Sequence, residues 1–316
     1  MIFGEIPEVG ARLSRFVLGS MVFSPDRLDN TYALLDDFVS AGGNVVDTAY
    51  LYGGGRSEPA LGMWLKARGA RDQITIVGKG GFDVDPDGRA RIKPELIAEQ
   101  LAVSLDRLGV ETIDLYVLHR DDPRVPVGEI VDAMNGHVEA GRIRAWGGSN
   151  WTHRRIAEAN TYADSARVRG IVASSPNFAL AIPLEPMWHD NVTIAGDAEA
   201  LSWYHRTQLP VLAWSSQARG FFSGRFTPDV YPDPDVRRVY YAPENWERLS
   251  RARALADAKG VSTSNVALAW VLHQPLNLFP LVGPATPGEL ADTLRALDVS
   301  LAPEEVAWLN LEPELR

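Results

Sequence analysis

Along the chain, short apolar runs alternate with longer stretches in which apolar residues return every three or four positions. Segment 15–20 (RFVLGS) precedes 30–42 (NTYALLDDFVSAG), and 44–48 (NVVDT) precedes 58–69 (EPALGMWLKARG). The same step recurs at 74–79 with 94–109, 113–119 with 127–141, 143–150 with 152–163, and 170–175 with 196–207. It closes at 210–216 with 245–260 and at 277–283 with 287–298. The short runs read as strands and the longer ones as amphipathic helices. Runs such as 114–118 (DLYVL) and 211–214 (VLAW) lack alternation, as expected of parallel strands buried on both faces. Gly42, Gly43, Gly69, Gly109, Gly141 and Gly260 stand just past helix ends, where a left-handed cap is needed. Eight strand-then-helix units without a linker predict one closed (β/α)8 TIM barrel over residues 1–316. An open doubly wound sheet would want a glycine-rich turn after the first strand, and 18–24 (LGSMVFS) lacks one.

Two connections are too long for plain loops, 177–196 and 219–246. Their length and aromatic content predict segments that cover a site. Residues 302–312 (APEEVAWLNLE) read as an extra helix outside the barrel.

Composition narrows the function. The chain has 316 residues, 46% of them hydrophobic, enough for one large core. A formal net charge of −10 argues against a nucleic-acid partner. The absence of cysteine removes disulfides, thiolate metal sites and cysteine nucleophiles. Residues 1–13 do not read as a cleavable leader. The uncharged interval from Lys259 to Glu289 holds Pro275, Pro280, Pro284 and Pro287 and cannot be a spanning helix. A cytoplasmic protein without a membrane partner is expected.

In a (β/α)8 barrel the chemistry sits at the carboxyl ends of the strands. Those ends are Asp47, Lys79, His119, Ser149–Asn150, Ser174–Ser175, Trp214–Ser215 and Val282–Gly283. Any one of the ionisable three is by itself an ordinary turn former or rim residue. On three consecutive strands they point to a proton-donor assembly. An ammonium lowers a tyrosine pKa, a carboxylate keeps the ammonium charged, and a histidine orients a substrate oxygen. Tyr50 and Tyr52 both follow Asp47 closely, and spacing leaves open which one serves. No metal ligands cluster, so no metal is expected.

The segments DTAYLYGGGRSE, GKG, DLYVLHRDDP, GRIRAWGGSNW, WSSQARGFFSGRF and VGPATPGELADTL, in that order, resemble the aldo-keto reductase family. The resemblance implies a TIM barrel that reduces aldehydes and ketones with NADPH or NADH and no metal. It implies Tyr52, the tyrosine followed directly by glycine, as the acid, with Asp47, Lys79 and His119 beside it. Tyr50 then falls in the pocket wall.

For the coenzyme the resemblance implies contacts from Gly19, Ser20 and Met21, and from Asp47. It places Ser149, Asn150 and Ser175 at the carboxamide and Trp214 on the nicotinamide face. Ser215, Ser216, Gln217, Ala218, Arg219 and Gly220 form the pyrophosphate loop, with Arg225 closing over it. Val282, Gly283, Thr286 and Asp292 lie at the last strand and toward the adenine. Ala285 and Thr286 stand where the family commonly has a basic residue for the 2′-phosphate, which leaves NADH open unless Arg237 or Arg238 substitutes. Phe82, Trp151, Phe178, Phe221 and Phe222 are candidate pocket residues with Tyr50. The expected substrate is a small neutral carbonyl or a sugar. Two rivals remain: a nicotinamide-binding regulatory module similar to potassium-channel β subunits, and a Schiff-base barrel using Lys79.

Overall fold

The computed structural model describes residues 1–312. Eight parallel strands form a closed barrel: β1 (Val17–Gly19), β2 (Val45–Asp47), β3 (Thr75–Gly80), β4 (Ile113–Leu118), β5 (Ile143–Ser149), β6 (Ala173–Ser175), β7 (Val211–Ala213) and β8 (Leu278–Val282). Each strand pairs with the next in sequence, and β8 returns to β1 through Val282 opposite Leu18. The eight units read from the sequence are therefore all present.

Around the barrel lie α1 (Leu28–Ser40), α2 (Ser57–Arg68), α3 (Pro94–Leu108), α4 (Val127–Glu139), α5 (His153–Ala166) and α6 (Ala198–Thr207). They continue as α7 (Pro234–Tyr240), α8 (Pro243–Lys259), α9 (Thr263–Leu272), α10 (Pro287–Leu294) and α11 (Pro303–Leu309). The extra helix α11 packs on α8, where Arg251 donates to the Trp308 carbonyl (2.7 Å) and Lys259 pairs with Glu305 (2.8 Å). No described helix is long and apolar enough to cross a membrane.

The two faces of each strand serve two cores. Val45, Val77, Leu115, Val117, Ala145, Ala173, Leu212 and Phe279 fill the barrel interior. Val46, Ile76, Tyr116, Leu118 and Trp146 face outward into the helix layer. This two-sided burial is why the strands show no polar alternation.

An N-terminal hairpin, Phe3–Ile6 with Gly10–Ser14, plugs the floor of the barrel with Ile6, Val9 and Leu13. The apolar pattern of 1–14 had not marked it, because its buried residues are few and irregularly spaced. A second small hairpin, Asp83–Val84 with Ala90–Arg91, rises from the end of β3.

Candidate active site

The pleat puts residues two apart on one strand face. Asp47 therefore shares the inward face of Val45, Lys79 that of Val77, and Ser149 that of Ala145. His119 stands two residues beyond inward-facing Val117. Pairing register supplies the height. Asp47 lies opposite Val77 and Lys79 opposite Val117, so Lys79 and His119 each sit two positions further along than the preceding functional residue. Strand tilt brings those offsets to one level at the carboxyl mouth.

There Lys79 Nζ forms a buried ion pair with Asp47 and also donates to the Tyr52 hydroxyl (3.3 Å). Tyr52 reaches the mouth on the turn after β2, whose glycines Gly53, Gly54 and Gly55 all have φ between 60° and 85°. A side chain at Gly55 would also strike the Arg107 guanidinium. The His119 ring stands edge-on to Tyr52, with centroids 5.8 Å apart, and Phe82 lies 5.5 Å from His119 on another side.

Burial by itself disfavours the Lys79 charge. The Asp47 carboxylate and the Tyr52 oxygen outweigh it, and the ammonium's pKa stands above the ordinary lysine value. Burial raises the Tyr52 pKa; Lys79 pulls it down and Asp47 opposes that pull. The lowered tyrosine pKa expected from the sequence is thus not found here. Tyr52 is a protonated phenol at neutral pH, with its oxygen accepting from Lys79. His119 is held well below the usual histidine pKa by burial, then by the Lys79 and Arg120 charges, and is a neutral imidazole.

The mouth also has the features of a polar ligand's cradle. Ser20 Oγ, Thr48 Oγ1, His119 Nδ1 and Trp214 Nε1 are buried without a hydrogen-bond partner, just beyond or near the ends of β1, β2, β4 and β7. Buried polar atoms are normally satisfied, so four orphans at one end of a barrel point to a missing partner. Beyond β7, Ser215, Ala218, Arg219 and Gly220 all have positive φ, the left-handed conformation from which anion-binding nests are built. Arg225 lies against Gly220, and its Nε donates to Ser223 (3.1 Å). The donor set fits a nicotinamide coenzyme.

Other expected contacts are spoken for. Ser149 donates to the Ser175 carbonyl (2.9 Å), and Asn150 Nδ2 donates to Ser149 (3.0 Å). Ser175 donates to the Leu212 carbonyl (2.8 Å), and Ser216 to the Leu281 carbonyl (2.7 Å). Arg219 pairs with Asp233 (2.8 Å). Asp292 accepts from Ser262 (3.0 Å), next to the α9 cap. Gly19 packs closely against the Val282 carbonyl, Met21 is exposed, and Gln217 and Thr286 stand on the open side. Neither proposed substitute for the missing basic residue is placed for that task. Arg237 stacks on Tyr231, and Arg238 pairs with Glu185 and Asp235.

Four of the six candidate pocket residues belong to the core instead. Trp151, Phe178, Phe221 and Phe222 are all buried; Phe178 stacks on Trp270 and Phe221 packs with Trp246. Phe82 and Tyr50 stay partly exposed, and Tyr50 lies under the Arg107 guanidinium.

The long connection at 177–196 covers the mouth, as its length and aromatic content predict, while the contacts of Trp188 and Glu289 are not signalled by the sequence. Segment 177–196 is a strap across the mouth: Asn191 and Val192 donate to Asn150 Oδ1 (3.3 and 3.2 Å), and Asp190 accepts from Ala90 N (3.0 Å). Trp188, in the strap, packs on Trp214 at 5.9 Å with Arg219 on its own ring. Glu289 accepts from Ala285 N (2.7 Å) at the start of α10, a carboxylate beside the positions where the family commonly has a basic residue.

Residues 15–310 match the family model described as the Aldo/keto reductase family. An uncharacterized oxidoreductase, YrpG, of Bacillus subtilis is 27% identical, with 98% of this chain and 95% of that protein aligned. A probable voltage-gated potassium channel subunit beta of Oryza sativa is 28% identical over 97% of this chain and 94% of its own. Among solved structures, the glycerol dehydrogenase AKR11B4 of Gluconobacter oxydans superposes with a TM-score of 0.78 at 25% identity, over 97% of this chain and 93% of that one.

Proposed function

The chain belongs to the aldo/keto reductase family, and from that premise we propose that it reduces the carbonyl group of a small molecule to an alcohol. The carrying observation is Lys79, whose ammonium binds the Asp47 carboxylate and the Tyr52 hydroxyl together. A nicotinamide coenzyme, NADPH or NADH, supplies the hydride when bound. Ser20, Trp214, the 215–220 turn and Arg225 are the residues that would hold it.

The chain's own part is proton transfer. Because Lys79 donates to the Tyr52 oxygen, the phenolic proton is free to point at the substrate oxygen. Tyr52 gives up that proton as the oxygen gains charge, and the resulting phenolate is stabilised by the ammonium 3.3 Å away. His119, being neutral, presents one ring N–H to the same oxygen and fixes the carbonyl's orientation. Asp47 keeps Lys79 charged throughout.

Neither Arg237, stacked on Tyr231, nor Arg238, paired with Glu185 and Asp235, takes the place of a basic residue at Ala285 and Thr286, and Glu289 occupies the Ala285 amide. This supports use of both NADH and NADPH. An NADPH preference above about 100-fold in Kd, the worth of a well-placed cation at the phosphate, would overturn that part.

The test is sustained consumption of each coenzyme with a panel of aldehydes, beside fluorescence titration of binding. Many turnovers per protein support the reductase. Tight binding without a second turnover would favour a binding module; the rice relative is named as a channel subunit, not as an enzyme.

A further inference from the structure

Arg120 follows His119 directly and is partly buried. Its guanidinium donates to the His119 carbonyl (2.9 Å) and lies over the Phe82 ring at 5.6 Å, the ring that also flanks His119. Its own carbonyl accepts from Trp151 Nε1 (3.0 Å), which pins the backbone here. No ion pair to it is found among the described residues.

The acids that might neutralise it are committed elsewhere. Asp121 faces Arg155 (3.4 Å), and Asp122 is bound by Arg124 (2.7 Å). Asp190, the strap acid whose charge acts on Arg120 from a distance, accepts from Ala90 N (3.0 Å) and lies against the His189 ring (2.8 Å), with no ion pair to Arg120. Around the reacting position Lys79 and Asp47 cancel, while Tyr52 and His119 are neutral. Arg120 therefore leaves these facing groups with one net positive charge, inside a chain of formal net charge −10.

A partly buried cation without a counter-ion is costly to keep unless something binds it. We propose that Arg120 is the substrate's anion receptor, so that the preferred substrate is an aldehyde or ketone carrying an anionic oxygen group, a carboxylate or a phosphate. The planar fork suits either group. This replaces the neutral carbonyl expected from sequence, and it rests on the reductase reading of the same site.

The test compares 4-carboxybenzaldehyde and 4-formylphenyl phosphate with the neutral 4-formylbenzamide in the wild type, Arg120→Lys and Arg120→Met, with thermal unfolding as a control for folding. The wild type should favour one anionic aldehyde over the amide by about 10- to 100-fold in kcat/KM. Whichever of the two leads identifies the group. In Arg120→Met that ratio should fall to near one, and Arg120→Lys should recover part of it, because it keeps the charge and loses the fork. A wild type with no anionic preference, or a preference that survives Arg120→Met, overturns the proposal.

Should no aldehyde be reduced at all, the reductase reading fails separately. Binding of unreactive terephthalate or phenyl phosphate, measured by tryptophan fluorescence, then decides the receptor alone. Loss of binding in Arg120→Met supports it, and equal or absent binding in the wild type and variant overturns it.

Discussion

The two ends of the barrel handle charge in opposite ways. At the floor Asp114 is fully engaged: it accepts from Ile76 N (2.9 Å) and pairs with Arg71 (3.0 Å) and Arg144 (3.4 Å). The hairpin seals that end with Ile6, Val9 and Leu13. At the mouth, four buried polar atoms lack partners, Arg120 has no ion pair among the described residues, and Ser215, Ala218, Arg219 and Gly220 have left-handed backbone. Yet the larger cavity, about 540 Å³, lies at the floor among Arg71, Asp114 and Arg144, while one of about 200 Å³ lies beside Trp214 under the strap. Volume does not locate the chemistry here. Unsatisfied groups do, because only a group without a partner has interaction energy left for a substrate.

The sharpest way to break this comparison is Tyr52→Phe. Turnover should fall by about 10²- to 10⁴-fold with coenzyme Kd little changed, since only the transition-state proton donor is lost. Near-normal kcat would remove Tyr52 from the chemistry.

Lys79→Met comes next, because it strands the buried Asp47 carboxylate. A loss of about 3–5 kcal/mol in urea unfolding is expected. The double change Lys79→Met with Asp47→Leu should recover much of that stability and none of the activity. If the single variant is as stable as wild type, Asp47 is not held as an ion.

At the floor the balance reverses. Asp114→Asn should cost about 1–3 kcal/mol of stability and leave kcat intact. A large kcat loss there would erase the distinction between the ends.

The smallest effect concerns pH. His119 has a folded pKa depressed below the ordinary 6.5, so below pH 6.5 the unfolded chain binds a proton that the folded chain does not. Stability should therefore fall by about 1.4 kcal/mol per pH unit below 6.5 from this group, and His119→Asn should remove that slope. Turnover should show no break near pH 6.5, because the imidazole stays neutral through it. An acid limb there, absent in His119→Asn, would mean that the folded ring titrates normally.

Much of this was readable in advance for reasons that are local. Asp47, Lys79 and His119 stood at strand ends because an apolar run of strand length ends there, and resemblance chose Tyr52 over Tyr50. The fold agrees with the placement, and Tyr52 is the tyrosine that Lys79 reaches while Tyr50 lies under Arg107. Pocket aromatics were not readable. Phe178 and Phe221 sit in covering loops by sequence, but their rings turn inward to Trp270 and Trp246. The floor hairpin and α7 were missed too, one for want of period and the other because a seven-residue helix leaves almost none.

The sequence by itself determined the eight units, their order, the carboxyl-end residues and the lack of a basic group at Ala285. Each of these depends on a periodicity of 2 or 3.6 residues, or on identity at one position. Only the tertiary structure decided which charges cancel. Asp121 and Asp122 adjoin Arg120 in sequence yet turn to Arg155 and Arg124, and the strap carries Asp190 to Ala90, one hundred residues away. Electrostatic energy depends on distance in space, and chain order does not give that distance.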